Sequence, residues 1–463
     1  MIILIILVFA LSTILFKKAA GTLNIGKLNI ISYVYYIFML QSFIGASLIV
    51  LGWNKHYTLS YLLDREKSSS ITAVAIWLIA IFLPLLILLF QKMFRLDIKK
   101  EYAIYLNKKI TVGKEDLFFD CFTIISVVCI FLLIGFLFNI GYIPILKLFF
   151  SPSNFNFALE RARINDSYFI HPYISNILVL MLIPMLSYIS FSYFVAMRTK
   201  RWAILSIVLF IASVIVKTYK FEKSPLVFYF VAFILIYIYF RGGIKFVYMA
   251  AMAFVLGGII VVFYFLQGFT GTIFDIYNGP MGRTLFTEVG TLAYCFDLFP
   301  NVFGFLNGRS FTPTILKLLG RDSSEYLRSS QLTMAFYGSE KVYDGSAGVM
   351  NTLFAGEAYA NWGWRGVVFS VIWVAFILAL LMYIILRLKK TPTMVSVLAM
   401  LTTKIGLMLE GGFCDFIYSF DIIFTLILVF SIYICFEKNG KIANLIDSQQ
   451  RKLKGRIQKW FRF

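Results

Sequence analysis

Histidine, charged side chains and paired cysteines are scarce in this sequence. The chain has two histidines, His56 and His171, too few for a histidine metal cluster. Its five cysteines are scattered with no CxxC pair, so they indicate neither a zinc site nor a disulfide framework. No Walker, GxSxG, HExxH or DxD-like nucleotide-sugar motif stands in a convincing context, which argues against nucleotide-using and zinc enzymes. We therefore expect no metal and no cofactor.

Hydrophobic residues dominate the composition instead. Only 14% of the 463 residues are charged, 60% are hydrophobic and the mean hydropathy is +0.84. A soluble domain has about 45–50% apolar residues. Apolar runs of roughly 17–25 residues recur without the polar alternation of a membrane barrel. The sequence therefore predicts an all-α polytopic membrane protein, with 1–463 forming one integral membrane domain.

Eleven apolar runs are long enough, or nearly so, to cross a bilayer as helices. The run after Met1 lacks a basic segment and a small-residue cleavage site, so we expect a retained helix rather than a cleaved signal peptide. The expected spans are 2–16, 29–53, 71–91, 117–140, 173–197, 202–216, 225–240, 246–266, 364–386, 393–412 and 417–436.

Lysine and arginine are distributed unequally between the two sets of alternating connections. With the N-terminus outside, the inner segments carry 26 of the 43 basic residues and the outer segments 16, while Lys404 lies within a span. The positive-inside rule then favours N-out and C-in, with 437–463 as a basic cytoplasmic tail. The net charge of +20 is explained by this topology and by anionic lipid, so no nucleic acid partner is needed.

Two connections on the outer side are unusually long. One covers 148–173, and the other runs for about a hundred residues over 267–365. Loops of this length are usually functional or disordered. The second keeps aromatic and aliphatic residues beside turn signals such as Gly279-Pro280, so we expect short helices that cap the mouth of the bundle.

Cations recur in the separate outer connections, and a compact bundle would bring them together. Taken singly, each is better explained as a solvated loop charge. Arg161 and Arg163 would not share a face of a helix, so one of them can pair with Glu160 or Asp166 instead. Together the set suits a phosphate or pyrophosphate group. The candidate anion-binding residues are Arg161, Arg163, Lys217, Lys220, Lys223, Arg283 and Arg309.

Carboxylates on the outer side are candidates for general acid–base catalysis. Glu410 ends a span, where an acid is costly unless it faces a cavity or a partner. Glu357 lies in GEAYANWGWRGVV, where the long loop enters the ninth span. The non-catalytic explanation of this stretch is that a helix enters the membrane interface here. Tyr359 and His171 are further possible substrate-binding residues, although His171 also fits an ordinary interfacial histidine. The acids at or near this side are Asp275, Glu288, Asp297, Asp344, Glu357, Glu410 and Asp415.

Two stretches, GEAYANWGWRGV and VKTYKFEKSPLVF, carry a family resemblance. The first is similar to an acid, an aromatic and Gly-x-x-Gly at the end of a large loop. The second is similar to a basic residue after a mid-chain span. With the many spans and the late outer loop, the chain resembles bacterial O-antigen or oligosaccharide repeat-unit polymerases of the Wzy type and, more distantly, O-antigen ligases. The histidine usual in the large loop of the ligases is absent, which favours the polymerases.

The resemblance implies a metal-independent membrane glycosyltransferase with a GT-C-like fold in the bacterial cytoplasmic membrane. Its site would face the periplasm or outside. It would move a growing glycan from undecaprenyl pyrophosphate onto an incoming lipid-linked repeat unit. The seven cations would then bind pyrophosphate, and Glu357 would orient or deprotonate the acceptor hydroxyl. A flippase and a chain-length regulator would be its partners.

Other classes of membrane protein stay open at this stage. A lipid-linked oligosaccharide flippase or another transporter would place polar residues at the midplane and would seldom need so long a loop on one face. A membrane acyltransferase would use a histidine base within the membrane, where neither His56 nor His171 lies. An O-antigen ligase remains the alternative within the same family group.

Overall fold

All the regular secondary structure in the part of the chain that the structure describes is helical, and no strand occurs there. The basic tail expected at 437–463, Asp166 and the side chain of Asp415 lie outside it. The computed structural model describes residues 1–113, 115–151, 155–165, 170–277, 279–417 and 419–434.

Twenty helices make up the described chain, with short 3-10 turns at Ile25–Lys27 and Ser323–Glu325. In chain order they are α1 Ile2–Ala20, α2 Ile30–Val50, α3 Tyr57–Ser60, α4 Arg65–Met93, α5 Ile98–Asn107, α6 Glu115–Ile140, α7 Pro144–Phe150, α8 Phe157–Asn165, α9 Pro172–Met197, α10 Lys200–Thr218, α11 Ser224–Arg241, α12 Phe246–Leu266, α13 Pro280–Leu298, α14 Pro313–Leu318, α15 Ser329–Tyr337, α16 Ser339–Tyr343, α17 Leu353–Arg387, α18 Pro392–Gly411, α19 Phe413–Ile417 and α20 Phe420–Ile432.

Ten of these helices are long and apolar enough to cross a membrane: α1, α2, α4, α6, α9, α10, α11, α12, α17 and α18. They coincide with the first ten predicted spans, so the prediction of a polytopic helical membrane protein is confirmed. The eleventh predicted span contains α20, whose apolar stretch, Ile422–Ser431, is shorter than a full crossing over the described residues. Helix α12 is the least buried of the ten spans and presents most of its surface to the surroundings.

A proline in the middle of α4 is accommodated by a neighbouring helix. Pro84 has no backbone N–H, so the carbonyl of Ala80 loses its partner within the helix. The hydroxyl of Ser12 on α1 donates to that carbonyl at 2.7 Å. A buried carbonyl without a partner is costly in a membrane, and Ser12 therefore helps to fix α1 against α4.

Two spans widen into π-turns among the described residues. One is Met39–Phe43 within α2, and the other is Ser175–Met181 within α9. The second lies just before Pro184, which cannot donate an N–H to the preceding turn. π-turns are often found at functional sites, where they redirect side chains. Both adjoin the candidate site described below.

The alternating connections gather at two ends of the bundle. At the end that we call the opposite end, Ile244 N–H donates to the Gly26 carbonyl at 2.9 Å. There Lys390 Nζ donates to the Leu106 carbonyl at 2.9 Å, and Arg201 pairs with Glu115. These bonds join connections that are far apart in the sequence, as expected for helices that cross in alternating directions.

The other end, which we call the cap end, carries the long segment 267–352. Its first helix, α13, packs tightly into the bundle: a Cβ at Gly45 of α2 would lie 1.7 Å from the Leu285 carbonyl oxygen. Asp297 of α13 is buried and accepts hydrogen bonds from Leu63 N, Asp64 N, Ser68 Oγ and Tyr337 Oη at 2.5–3.0 Å. One carboxylate thus ties the start of α4 to α13 and α15.

Helix α17 is broken where the cap segment enters the ninth span. Trp362 and Gly363 leave helical geometry, and Gly363 has φ 62° and ψ −149°. That combination of angles is essentially restricted to glycine. The first part, Leu353 to Asn361, belongs to the cap end, and regular helix resumes at Trp364, where the sequence predicts the start of the ninth span.

Candidate anion-binding site

A five-residue hairpin, 219–223, connects α10 to α11 at the cap end and holds three parts of the chain together. Phe221 is fully buried, and its ring packs 5.2 Å from that of Phe157 and 6.4 Å from that of Tyr142. Arg161 Nε on α8 donates to the Lys220 carbonyl at 2.9 Å. Gln267 Nε2, at the end of α12, donates to the Phe221 carbonyl at 2.5 Å. The aromatic anchor therefore positions the hairpin lysines beside α8 and α12.

Four cations from three separate segments lie around this hairpin: Lys223 is within electrostatic reach of Arg283 and Arg161, and Lys220 is within reach of Arg161. Burial, with the nearby Arg283 and Arg161 acting in the same direction, lowers the pKa of Lys223 to about 7. Burial also lowers the pKa of Lys220, where Arg161 adds to the shift and Glu222 opposes it. Lys223 Nζ lies 2.9 Å from the centroid of the Tyr264 ring. We call Arg161, Lys220, Lys223 and Arg283 the cation cluster.

Next to the hairpin is an inner cavity of about 250 Å³ between α9, α10, α11 and α18. Its charged lining residues are Lys217, Lys404 and Glu222. Tyr188 and Thr403 add hydroxyls, and the rest of the wall is mainly apolar, with three methionines. Lys217 and Lys404 are close enough to repel each other electrostatically. The cavity thus combines positive charge with an apolar wall.

Glu222 stands between the inner cavity and the cation cluster. Its carboxylate lines the cavity and lies 3.9 Å from Arg161 Nε. Both side chains of this ion pair are more than a third exposed, so the pair contributes little to stability. Its main effect is on charge, because it places one negative group among several positive ones.

Two more carboxylates lie close together on neighbouring helices, Glu288 on α13 and Glu410 on α18. Burial raises the pKa of Glu288 well above its usual value, Glu410 raises it further, and Arg283 opposes the shift. Among the described residues, Glu288 Oε2 and Glu410 Oε1 are buried without a hydrogen-bond partner. Gln41, in the π-turn of α2, lies next to Glu410. Arg283 links this pair to the cation cluster.

Glu357 occupies a different place, inside the joint between cap and bundle. It is 1% exposed, and its Oε1 accepts a hydrogen bond from Arg328 Nε at 3.1 Å. Its Oε2 accepts the backbone N–H of Cys414 at 2.8 Å. A Cβ at Gly412 would lie 2.5 Å from the same oxygen, so the carboxylate is tightly enclosed. We call the Arg328–Glu357 pair the clasp.

The remaining predicted site residues, Arg163, Arg309, Tyr359 and His171, have contacts of their own. Arg163 pairs with Glu160, as one of the two arginines of α8 was expected to do, and also donates to the Ile140 carbonyl. The backbone of Arg309 bonds to Leu306 and Leu327 in the cap segment. Tyr359 packs its ring 4.6 Å from that of Phe296, and His171 is exposed and stacks on Tyr173.

Of the seven predicted cations, the structure therefore brings four into the cation cluster and places Lys217 in the adjoining inner cavity. Sequence reasoning did not assign Lys404, Glu222 or Arg328 to a site. Lys404 carries a usable signal, because a lysine within an apolar span is costly unless it faces a cavity or partner. Arg328 carries none, since a lone arginine before a serine pair is ordinary in a loop.

Comparisons of the chain with protein-family models, with curated proteins and with solved structures find no match. The resemblance to repeat-unit polymerases therefore rests on the two stretches and the architecture that were given for it.

Proposed function

We propose that this protein is a membrane glycosyltransferase that polymerises lipid-linked oligosaccharide repeat units. The observation that carries the proposal is the convergence of Arg161, Lys220, Lys223 and Arg283, from separate parts of the chain, at one end of the bundle. A compact group of lysines and arginines beside a membrane-spanning bundle suits the pyrophosphate of a lipid carrier. The resemblance to Wzy-type polymerases supports the same substrate class.

The chemistry is a displacement at the anomeric carbon of the donor glycan. An acceptor hydroxyl on the incoming repeat unit attacks that carbon while the bond from the carbon to the pyrophosphate oxygen breaks. The electron pair leaves with undecaprenyl pyrophosphate, and the cation cluster and Lys217 stabilise the negative charge that develops. The proposal gives no role to Arg163, which pairs with Glu160, or to Arg309.

The hydroxyl proton needs a carboxylate to accept it, and three glutamates are candidates. Glu357 is the base that the sequence suggests, but it is enclosed in the clasp, where no substrate reaches it in this conformation. The proposal assigns the proton to the Glu288–Glu410 pair. Because the two buried carboxylates repel each other, they favour a state that holds one proton between them, in which the ionised partner can accept another. Glu357 then holds the cap in position.

A second function, flipping of lipid-linked oligosaccharides, is favoured by one observation. Lys404 and Glu410 lie on a spanning helix and face other helices, and transporters place polar groups in this way. The two functions differ in what their loss does to a cell. Without a flippase no repeat unit reaches the outer surface, whereas without a polymerase single units still do.

The test is deletion of the gene, followed by electrophoresis of the surface glycan. We expect cells that display one repeat unit and no long polymer. Absence of even the single unit would favour a flippase, and unchanged long polymer would overturn both functions. Complementation with Lys223→Gln should give at least roughly tenfold less polymer than wild type, because a charged contact to the leaving group is lost. Lys341→Gln, an exposed cap lysine, is the matched control.

A further inference from the structure

Three buried side-chain oxygens on three different helices have no hydrogen-bond partner within the described chain. They are Glu288 Oε2 on α13, Glu410 Oε1 on α18 and Gln41 Oε1 in the π-turn of α2. The π-turn packs against α13, and the part of α2 before it packs against α18. A buried acceptor without a donor is costly inside a membrane bundle. A proton held by one of the two carboxyl groups supplies such a donor.

Gln41 is placed beside this pair by an irregularity of α2. A π-turn is wider than a regular helical turn and is often found at functional sites. The Gln41 side chain lies within hydrogen-bonding reach of Glu410. Since Oε1 of each residue has no partner, the contact is left to the Gln41 amide Nε2, which donates, and to Glu410 Oε2, which accepts. A donated N–H favours the ionised form of a carboxylate.

Glu288 lies in a different environment from Glu410. Burial, with Glu410 acting in the same direction, raises the pKa of Glu288 well above its usual value, and Arg283 opposes the shift. On the other side of the pair, Tyr33 of α2 is within electrostatic reach of Glu410 but carries no charge at neutral pH. The two carboxyl groups are therefore not equivalent: Glu288 is the one that retains a proton.

We propose that Gln41 is a positioning residue, whose amide orients Glu410 as the base of the transfer reaction while Glu288 holds the proton that the pair shares. The inference rests on the proposed function for the identity of the reaction, and it specifies which carboxylate of the pair accepts the proton. When the acceptor hydroxyl attacks the anomeric carbon, its O–H bond breaks and the proton passes to Glu410. Both carboxyl groups are then neutral, and release of one proton to water restores the starting state.

Infrared spectroscopy of the full-length protein in phosphatidylcholine nanodiscs tests the assignment. A protonated carboxyl group has a carbonyl absorption band that a carboxylate lacks. We expect a band from a buried carboxyl group at neutral pH that disappears in Glu288→Gln and remains in Glu410→Gln. In Gln41→Leu the ionised Glu410 loses its donor, so a second carboxyl band should appear.

The pH dependence of Gln41→Leu separates positioning from a structural role. The pH at which its second carboxyl band is lost should lie roughly one to two units higher than in wild type, because a hydrogen bond to a charged group is removed. Polymer formation should fall by up to roughly tenfold per unit of that shift at pH 7 and should recover at higher pH. A purely structural defect would not recover with pH.

Gln91→Leu is the matched control, because Gln91 is also a glutamine of a spanning helix. Its amide donates to the Ala19 carbonyl at 2.7 Å, near the opposite end. We expect it to leave the carboxyl bands and the pH profile unchanged, and unfolding temperatures verify that every variant folds.

Three results would overturn the inference. Loss of the wild-type band in Glu410→Gln, with retention in Glu288→Gln, would reverse the two roles. Wild-type bands and pH profile in a folded Gln41→Leu protein would exclude Gln41 as a positioning residue. Replacement of choline by sodium at constant ionic strength should leave the bands unchanged, and a sodium-dependent change would make the three oxygens a cation site instead.

Failure of this inference can be told apart from failure of the proposed function, because the spectra are recorded without any sugar. If the bands respond as expected but gene deletion leaves long polymer intact, the division of roles within the pair stands and the polymerase proposal fails. If deletion abolishes long polymer while Gln41→Leu behaves like wild type, the polymerase proposal stands and the role given to Gln41 fails.

Discussion

The clasp between Arg328 and Glu357 gives the sharpest prediction for single residues. Breaking a buried ion pair from one side leaves an uncompensated charge and typically costs 3–5 kcal/mol. Arg328 keeps about a quarter of its side chain exposed, so we expect about 3 kcal/mol for Glu357→Gln and for Arg328→Gln. The double variant should lose less than the sum of the two. Thermal unfolding of the purified protein measures all three.

The same variants separate a structural role of Glu357 from a catalytic one. If it only holds the cap, polymer formation per folded molecule recovers in the double variant together with stability. Near-normal polymer from a folded Glu357→Gln protein would exclude this carboxylate as the base. Full stability with no polymer would instead support the base that the sequence suggests and would contradict the assignment to Glu288 and Glu410.

Lys223 makes anion binding depend on pH. Its pKa lies near 7 because of burial and the neighbouring Arg283 and Arg161, so the free site loses this charge as the pH rises above 7. Binding an anion then requires proton uptake, and affinity for the carrier should fall by up to roughly tenfold per pH unit above 7. In Lys223→Arg the guanidinium stays charged, and that part of the pH dependence should disappear.

Titration of undecaprenyl pyrophosphate binding between pH 6 and pH 9 checks this expectation. Ionisation of the ligand itself affects wild type and Lys223→Arg equally, so the difference between their two curves isolates the lysine. Identical curves would mean that Lys223 does not contact the anion.

Single residues also show what a sequence can and cannot reveal. Lysines and arginines of the outer connections could be selected as a group, and the hairpin lysines do meet Arg161 and Arg283. Their individual roles could not be separated, because pairing of Arg163 with Glu160 and enclosure of Glu357 by Arg328 depend on tertiary contacts. Burial of a carboxylate cannot be deduced from its neighbours in the chain.

At the scale of elements, the break in α17 supports a prediction about Gly363. Its φ of 62° and ψ of −149° belong to a region that is essentially restricted to glycine, where other residues pay about 1–3 kcal/mol of strain. Gly363→Ala should therefore lower the unfolding temperature and move the cap relative to the ninth span. Gly348→Ala is the control, because a Cβ there meets open space.

Hydrogen exchange of the Leu353–Asn361 stretch measures the expected movement. Faster exchange in Gly363→Ala than in Gly348→Ala would support a glycine-dependent joint. Equal exchange and equal stability in the two variants would mean that α17 tolerates a continuous helix at this point.

Spanning helices were the most predictable elements, and their irregularities were the least. Apolar runs locate a membrane helix because length and hydropathy decide insertion. The π-turns at Met39–Phe43 and Ser175–Met181 leave no such pattern, although Pro184 marks a place where regular hydrogen bonding must change. The bond from Ser12 to the Ala80 carbonyl joins residues 68 positions apart and follows from packing alone.

For the whole molecule, alternation of spans was enough to anticipate that separate connections meet at one end. It was not enough to predict how far the candidate site extends between the helices of the bundle. Lys217 and Lys404 line a cavity between four helices, and Glu288 approaches Glu410 because α13 packs into the bundle. The sequence indicated α13 only as part of a cap, since polar residues interrupt its apolar face. The carboxylate pair depends on this tight packing.

The proposed function depends on which side of the membrane each end of the bundle faces. In the topology expected from the sequence, the inner segments carry 26 basic residues and the outer segments, with the cap, carry 16, so the positive-inside rule predicts that the cap lies outside. In a cysteine-free background, Lys341→Cys on α16 and Lys200→Cys on α10 present exposed thiols at the two ends. A membrane-impermeant maleimide should label Lys341→Cys in intact spheroplasts and Lys200→Cys only in inverted vesicles. The reverse pattern would place the cation cluster in the cytoplasm, away from flipped repeat units, and would exclude the proposed polymerase reaction.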